Sequence, residues 1–142
     1  MFVVWKGIYM WNDYNPNPVG NRTDDCSVRA IAKALDVSWE TAYIMLFKTG
    51  YLMGEMPHRN LVIGARLRDN GFSREFPPSD CPDCYSVKDF CEMNPEGKFV
   101  VFSQDHVATI DNGDLWDTWD SSGNTINYVW YKDAKPIFKE EE

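Results

Sequence analysis

Apolar residues recur along the first two thirds of the chain with the period of helices. Val28, Ile31, Ala32 and Leu35 fall at i, i+3, i+4 and i+7, the spacing of one apolar helix face, and Thr23 or Asp24 stands where a cap belongs. Ser38 predicts the cap of a second helix whose Trp39, Ala42, Tyr43 and Leu46 repeat that spacing and which ends near Gly50. Met56-Pro57 opens a third, from about His58 to Asn70, carrying Leu61, Val62, Ala65 and Leu67, with Gly71 placed as a left-handed cap. Ser86 starts a short helix with Val87, Phe90 and Cys91 that stops at Asn94-Pro95.

From Lys98 the period becomes that of strands. Lys98 to Ser103 is a nearly continuous apolar run, as expected of a central strand covered on both faces. His106 to Ile110 and Leu115 to Trp119 flank Asn112-Gly113, the dipeptide that most strongly favours a two-residue hairpin turn. Ile126 to Tyr131 reads as a further strand and Pro136 to Lys139 as a frayed end. At the front, Phe2 to Met10 has strand composition interrupted by Gly7, and Trp11 to Val19 is a turn-rich loop with two X-Pro pairs. Helices followed by an antiparallel sheet is an α+β order within one domain over residues 1–142, with a helical lobe at about 20–95 and a sheet at about 98–138.

An apolar share of 44% and an aromatic share of 15% suit a chain that buries a core without covalent staples. The 14 basic and 22 acidic side chains leave −8, which repels phosphate backbones and anionic lipid, so neither nucleic acid nor membrane is an expected partner. No apolar run reaches the length of a membrane span, and the N-terminal residues lack the layout of a signal peptide, which points to the cytoplasm. In that compartment Cys26, Cys81, Cys84 and Cys91 are expected as thiols, nucleophiles or metal ligands rather than structural disulfides.

The turn fixes a register. If Asn112-Gly113 is the turn, Asp111 faces Asp114, Ile110 faces Leu115, Ala108 faces Asp117 and His106 faces Trp119. Alternation then puts His106, Asp117 and Trp119 on one side of the sheet, with Asp117 diagonal to His106 and Asp120 pointing away. A carboxylate there accepts from one imidazole nitrogen and orients the other, while Trp119 covers the pair. Cys26, in the first turn of its helix, lies at the positive end of the dipole, which lowers a thiol pKa; Asp24 and Asp25 oppose this unless a cation stands nearby. Together these residues are the kit for nucleophilic acyl transfer. Cys26 attacks a carbonyl, His106 moves the proton and Asp117 holds His106. The Cys26 backbone N–H and a side-chain amide from the preceding loop supply the oxyanion hole, with Asn21 as candidate and Asn17 or Asn15 as fallback.

Asn21 to Ala34 with Cys26 opening a helix, then Asp105-His-Val-Ala-Thr-Ile, then Trp116-Asp-Thr-Trp-Asp, resembles a papain-like cysteine peptidase. The likeness is closest to the small bacterial and bacteriophage members akin to bacteriocin-processing peptidases. It implies a helical lobe carrying the nucleophile, an antiparallel sheet carrying His and Asp, and a peptide or protein substrate in the cleft between, with no cofactor. By that pattern Cys26 is the nucleophile, His106 the general base and Asp117 the orienting residue. The family's usual Gln, six residues before the nucleophile, is Gly20 here, which leaves Asn21 as the implied oxyanion donor. Gln104, Trp119 and Asp120, with Trp11 and Tyr14 nearby, are the expected groove residues.

Two other readings compete. Cys81-Pro-Asp-Cys84 has the spacing of half a tetrahedral zinc site, with Cys91 close by, which would make the chain a zinc-stabilised interaction module. A papain-like fold that binds a partner without turnover is the other.

Overall fold

A computed structural model describes residues 9–78 and 85–138. Its helices are α1 (Cys26–Leu35), α2 (Trp39–Met53), α3 (Asn60–Asp69) and α4 (Val87–Met93). Its strands are β1 (Met10–Asp13), β2 (Ser73–Glu75), β3 (Lys98–Ser103), β4 (His106–Asp111), β5 (Asp114–Asp117) and β6 (Tyr128–Tyr131). They form one sheet in the order β1-β5-β4-β3-β6-β2, so the architecture is α+β.

The Asn112-Gly113 turn adopts positive φ at both residues, 52° and 81°, as a type I′ turn requires. Asp111 pairs with Asp114 and Ile110 with Leu115, the register expected from the dipeptide. A second tight turn, Gln104-Asp105, joins β3 to β4 with φ of 37° and 61°, strained values for residues carrying a Cβ. Asn127 Oδ1 accepts from the Gln104 N–H at 3.0 Å, and Gln104 Oε1 accepts from the Thr125 N–H at 3.3 Å, which holds this turn and the His106 that follows it.

β3 is central and covered on both sides. Val100 and Phe102, with Val107 and Trp130, pack against α1, α2 and α3. Phe99 and Val101, with Ala108, Ile110 and Leu115, pack against Val87, Phe90 and Cys91 of α4. Buried on almost every side, α1 is the keystone of the first core, and Thr109 of β4 ties it down by donating from Oγ1 to the Ala30 carbonyl at 2.7 Å.

Five expectations are corrected. The sheet is mixed rather than antiparallel and is not confined to residues after 98: β1 runs parallel to β5, and β2 pairs with β6. Trp11 to Asp13 is strand rather than loop because Trp11 Nε1 and the Tyr14 N–H both donate to the Asp117 carbonyl, at 3.0 and 2.8 Å, stitching this segment to the end of β5. α2 runs a turn past Gly50, to a left-handed Gly54. Gly50 is instead a close approach: a Cβ there would stand 2.7 Å from the Glu55 carbonyl oxygen. β5 stops at Asp117, before Trp119. The end of the chain is not frayed as far as Phe138, since the Asn94 side chain binds both the N–H and the carbonyl of Ile137 and Phe138 packs on Tyr85 and Phe90. Residues 2–8 and the Cys81/Cys84 pair lie outside the described residues. Among those described, no helix is long and apolar enough to cross a membrane.

Because the Thr109 hydrogen bond is buried and joins the helix of Cys26 to the strand of His106, Thr109→Val is expected to cost about 1 kcal/mol of stability, measured by urea unfolding. An unchanged midpoint would show that this bond does not hold the two elements together.

Candidate active site

His106 is the first residue of β4 and Asp117 the last of β5, so both stand at one end of the sheet, where the N-terminus of α1 arrives. His106 Nε2 meets Asp117 Oδ2 at 2.6 Å. Cys26 stands beside the same imidazole, and each of the two groups shifts the other's titration. The Trp119 ring, though past the end of the strand, packs 5.0 Å from the His106 ring. Cysteine, histidine and aspartate from three elements thus come together in one line.

Asp117 is 1% exposed and its carboxylate is saturated. Oδ2 accepts from His106 and from Ser121 Oγ at 2.7 Å, and Oδ1 accepts from the Thr118 N–H at 2.7 Å and from Arg29 Nη2 at 2.9 Å. Burial alone would favour the neutral acid, but the hydrogen bond and charge of His106, the Ser121 hydroxyl and the Arg29 charge hold the carboxyl below its ordinary range. His106 shows the complementary shift. Burial opposes its charge, yet the bonds to Asp117 and Cys26 push its pKa from 6.5 up to about 9. For Cys26 burial again disfavours the charged form. The hydrogen bond and charge of His106, a hydrogen bond from the Val107 backbone and the Arg29 charge outweigh it and bring the thiol below its usual value. Both shifts act in the direction of a thiolate beside an imidazolium.

Arg29 is the residue that sequence reasoning missed. It lies one turn after Cys26, is buried, and pairs with Asp25 through Nη1 while reaching Asp117 through Nη2. The repulsion expected of Asp25 is thereby offset, since that carboxylate also accepts from Trp39 Nε1 at 2.8 Å. Asp25, not Thr23 or Asp24, occupies the cap position of α1, and with its side chain turned to Arg29 and Trp39 it makes no cap bond. Among the described residues, therefore, no side-chain cap bond covers the amides at the start of α1. An Asp-Arg pair at i, i+4 was visible in the sequence, but its reach to Asp117 was not.

Beside the Cys26 thiol opens a cleft of about 1050 Å³. Arg22, Thr23 and Asp24 line one side, Arg59, Asn60 and Leu61 at the start of α3 another, and Asp105, His106, Thr118 and Trp119 the sheet end. The remaining expected residues lie elsewhere. Asn21 is exposed, outside the lining, and its carbonyl accepts from the Asn15 side chain. Asn15 and Asn17 spend their side chains on turns within the same loop. Gln104 is occupied with Thr125, and Asp120 accepts from the Tyr9 hydroxyl and the Ser122 N–H, so neither borders the cleft. Asn60 is the one side-chain amide among the lining residues. Trp11 is bonded to the Asp117 carbonyl, and Tyr14 packs edge-on to Trp116. Among the described residues no group of three or more His, Cys, Asp or Glu side chains converges as a metal site requires, and Cys91 is buried on the inner face of α4.

No family model matches this sequence, and no curated protein and no solved structure matches it either.

Two outcomes follow from the charge arrangement. Iodoacetamide is expected to alkylate Cys26 in preference to buried Cys91 at pH values well below the usual thiol range. His106→Ala should return the Cys26 titration toward that range and slow labelling at neutral pH by about tenfold or more, read by peptide mass spectrometry. Arg29→Met leaves two buried carboxylates without their shared cation, and urea unfolding should register a loss of about 3–5 kcal/mol. A loss below about 1 kcal/mol would show that the carboxylates are compensated in another way.

Proposed function

We propose that this chain is a thiol-dependent hydrolase, a cysteine peptidase or amide-bond hydrolase of papain-like type, working through a thioester on Cys26. The observation that carries the reading is the convergence of the Cys26 thiol, the His106 imidazole and the saturated Asp117 carboxylate at the wall of an open cleft.

The Cys26 thiolate attacks the substrate carbonyl carbon, a C–S bond forms, and the carbonyl pair moves onto oxygen. The Cys26 N–H, at the uncapped start of α1, donates to that oxygen, where the helix dipole also favours negative charge. As the oxyanion collapses, the C–N bond breaks and the leaving amine takes the proton of the His106 imidazolium. Neutral His106 then accepts a proton from water as the water oxygen attacks the thioester, the C–S bond breaks, and the acid product leaves, losing its proton to solvent, with thiolate and imidazolium restored. Throughout, Asp117 keeps Nε2 engaged and so presents the other nitrogen to sulfur and substrate, while Arg29 keeps Asp117 charged. Arg22, Arg59, Leu61 and Trp119 border the cleft that a peptide or protein substrate would occupy.

The test is acyl-enzyme capture. Incubation with a mixture of peptide thioesters and peptide amides, followed by acid quench and intact-mass measurement, should yield one acyl adduct, mapped to Cys26, that decays with product release. Cys26→Ala should abolish both adduct and turnover. His106→Ala should reduce turnover by at least about 10³-fold. The first proton transfer requires imidazolium, so turnover should fall as pH rises through about 9, and it should fall at low pH as the thiolate is protonated. Folded protein that alkylates at Cys26 yet never acylates would assign the cleft to binding without catalysis, and turnover surviving Cys26→Ala would remove the thiol from the mechanism.

A further inference from the structure

Helix α2 has one face that the core uses and one that it does not. Ala42, Leu46, Thr49 and Gly50 point inward, against α1 and α3. On the far side Ile44, Phe47 and Tyr51 are exposed, Ile44 by 61% and Tyr51 by 79%, with exposed Tyr43 and Leu52 on its two flanks. At about 100° per residue, Glu40, Ile44, Phe47, Lys48 and Tyr51 lie within about 60° of a line through Ile44, so they form a stripe along the helix. With full side-chain areas of about 150–250 Å², the three apolar residues on the stripe expose roughly 400 Å², and Tyr43 and Leu52, about 100° and 80° off its line on opposite flanks, roughly 250 Å² more. The stripe by itself is as large as the biggest apolar patch of an ordinary monomer, about 300–600 Å² and often an interaction site, and with its flanks it approaches the ~800 Å² that each partner contributes to a stable pair.

The charges on the stripe say which partner fits. Glu40 and Lys48 stand one turn to either side of Ile44, about 12 Å apart and too far to pair with each other. Two copies of α2 laid antiparallel about a two-fold axis through Ile44 place Glu40 against the partner's Lys48, and the reciprocal pair forms by symmetry. Ile44 then meets its own copy at the axis, flanked by Phe47, while Tyr51 reaches the start of the opposite helix. The stripe is also neutral on a chain of net charge −8, so two copies repel least along this face. A basic or an acidic partner would leave Glu40 or Lys48 facing its own sign. We propose that the exposed face of α2 is the contact surface of a two-fold symmetric homodimer, occupied by the same face of a second copy in antiparallel orientation.

Sedimentation equilibrium on the purified full chain is the test. A mass of twice 16.5 kDa is expected at high micromolar concentration. Ile44→Asp and Phe47→Asp, both at exposed positions, should each raise the dimer Kd by about 100-fold, with unchanged circular dichroism and unchanged alkylation of Cys26. Glu40→Lys should weaken the dimer by about tenfold and Glu40→Lys with Lys48→Glu should restore it, an outcome peculiar to self-pairing about Ile44. A monomeric wild-type chain, a dimer indifferent to both aspartate substitutions, or a charge swap that fails to restore association would each overturn the proposal. The dimer and the thiol chemistry can fail independently, because no stripe residue touches Cys26, His106 or the cleft.

Discussion

A single buried carboxylate organises the end of the sheet. Asp117 gathers a histidine, an arginine, a serine hydroxyl and a backbone N–H around its two oxygens, while its own carbonyl accepts from Trp11 and Tyr14. Six donors from four regions of the chain thus end on one residue. Such a charge can remain inside only if its lone pairs are filled, because an uncompensated carboxylate in the interior would protonate or pull the site open. The fixed orientation of His106 and the burial of Arg29 are conditions for keeping that carboxylate ionised, while β1 holds the backbone of the same residue in place.

The same economy governs the surroundings of Cys26. Three groups of one sign, Asp25, Asp117 and the Cys26 thiolate, crowd the start of α1, a concentration that would normally keep a thiol neutral. Arg29 answers both carboxylates, and the proton on His106 answers the sulfur. The unusual choice is at Asp25. Its carboxylate gives up the helix cap to bind Arg29 and Trp39, so the α1 amides next to the sulfur have no side-chain acceptor. A cap bond, typically worth about 1 kcal/mol, is forgone there.

The outer face of α2 follows different physics. Core positions are constrained by what they touch, whereas an exposed Ile44 or Tyr51 gains nothing from its own fold and acts only when something covers it. The inner and outer faces of this one helix therefore carry separate information, one about the protomer and the other about its association.

What the chain determines locally could be read from it. Helix starts at Cys26 and near Ser38 and Ser86, the type I′ turn at Asn112-Gly113 and the register linking His106 to Asp117 all rest on contacts within a few residues or across one hairpin, where period and turn chemistry suffice. The parallel strand β1, the reach of Arg29 to Asp117 and the engagement of Gln104 away from the cleft depend on groups meeting across tens of residues, and the diversion of Asp25 from its cap depends on where Arg29 and Trp39 are packed. Alternation along β4 also places the face of Val107 and Thr109, not that of His106, against α1; the thiol reaches the imidazole because both lie at an open end of the sheet, where face no longer separates them. Sequence periodicity records which side of an element is buried, and only the packed chain decides which buried charges answer one another.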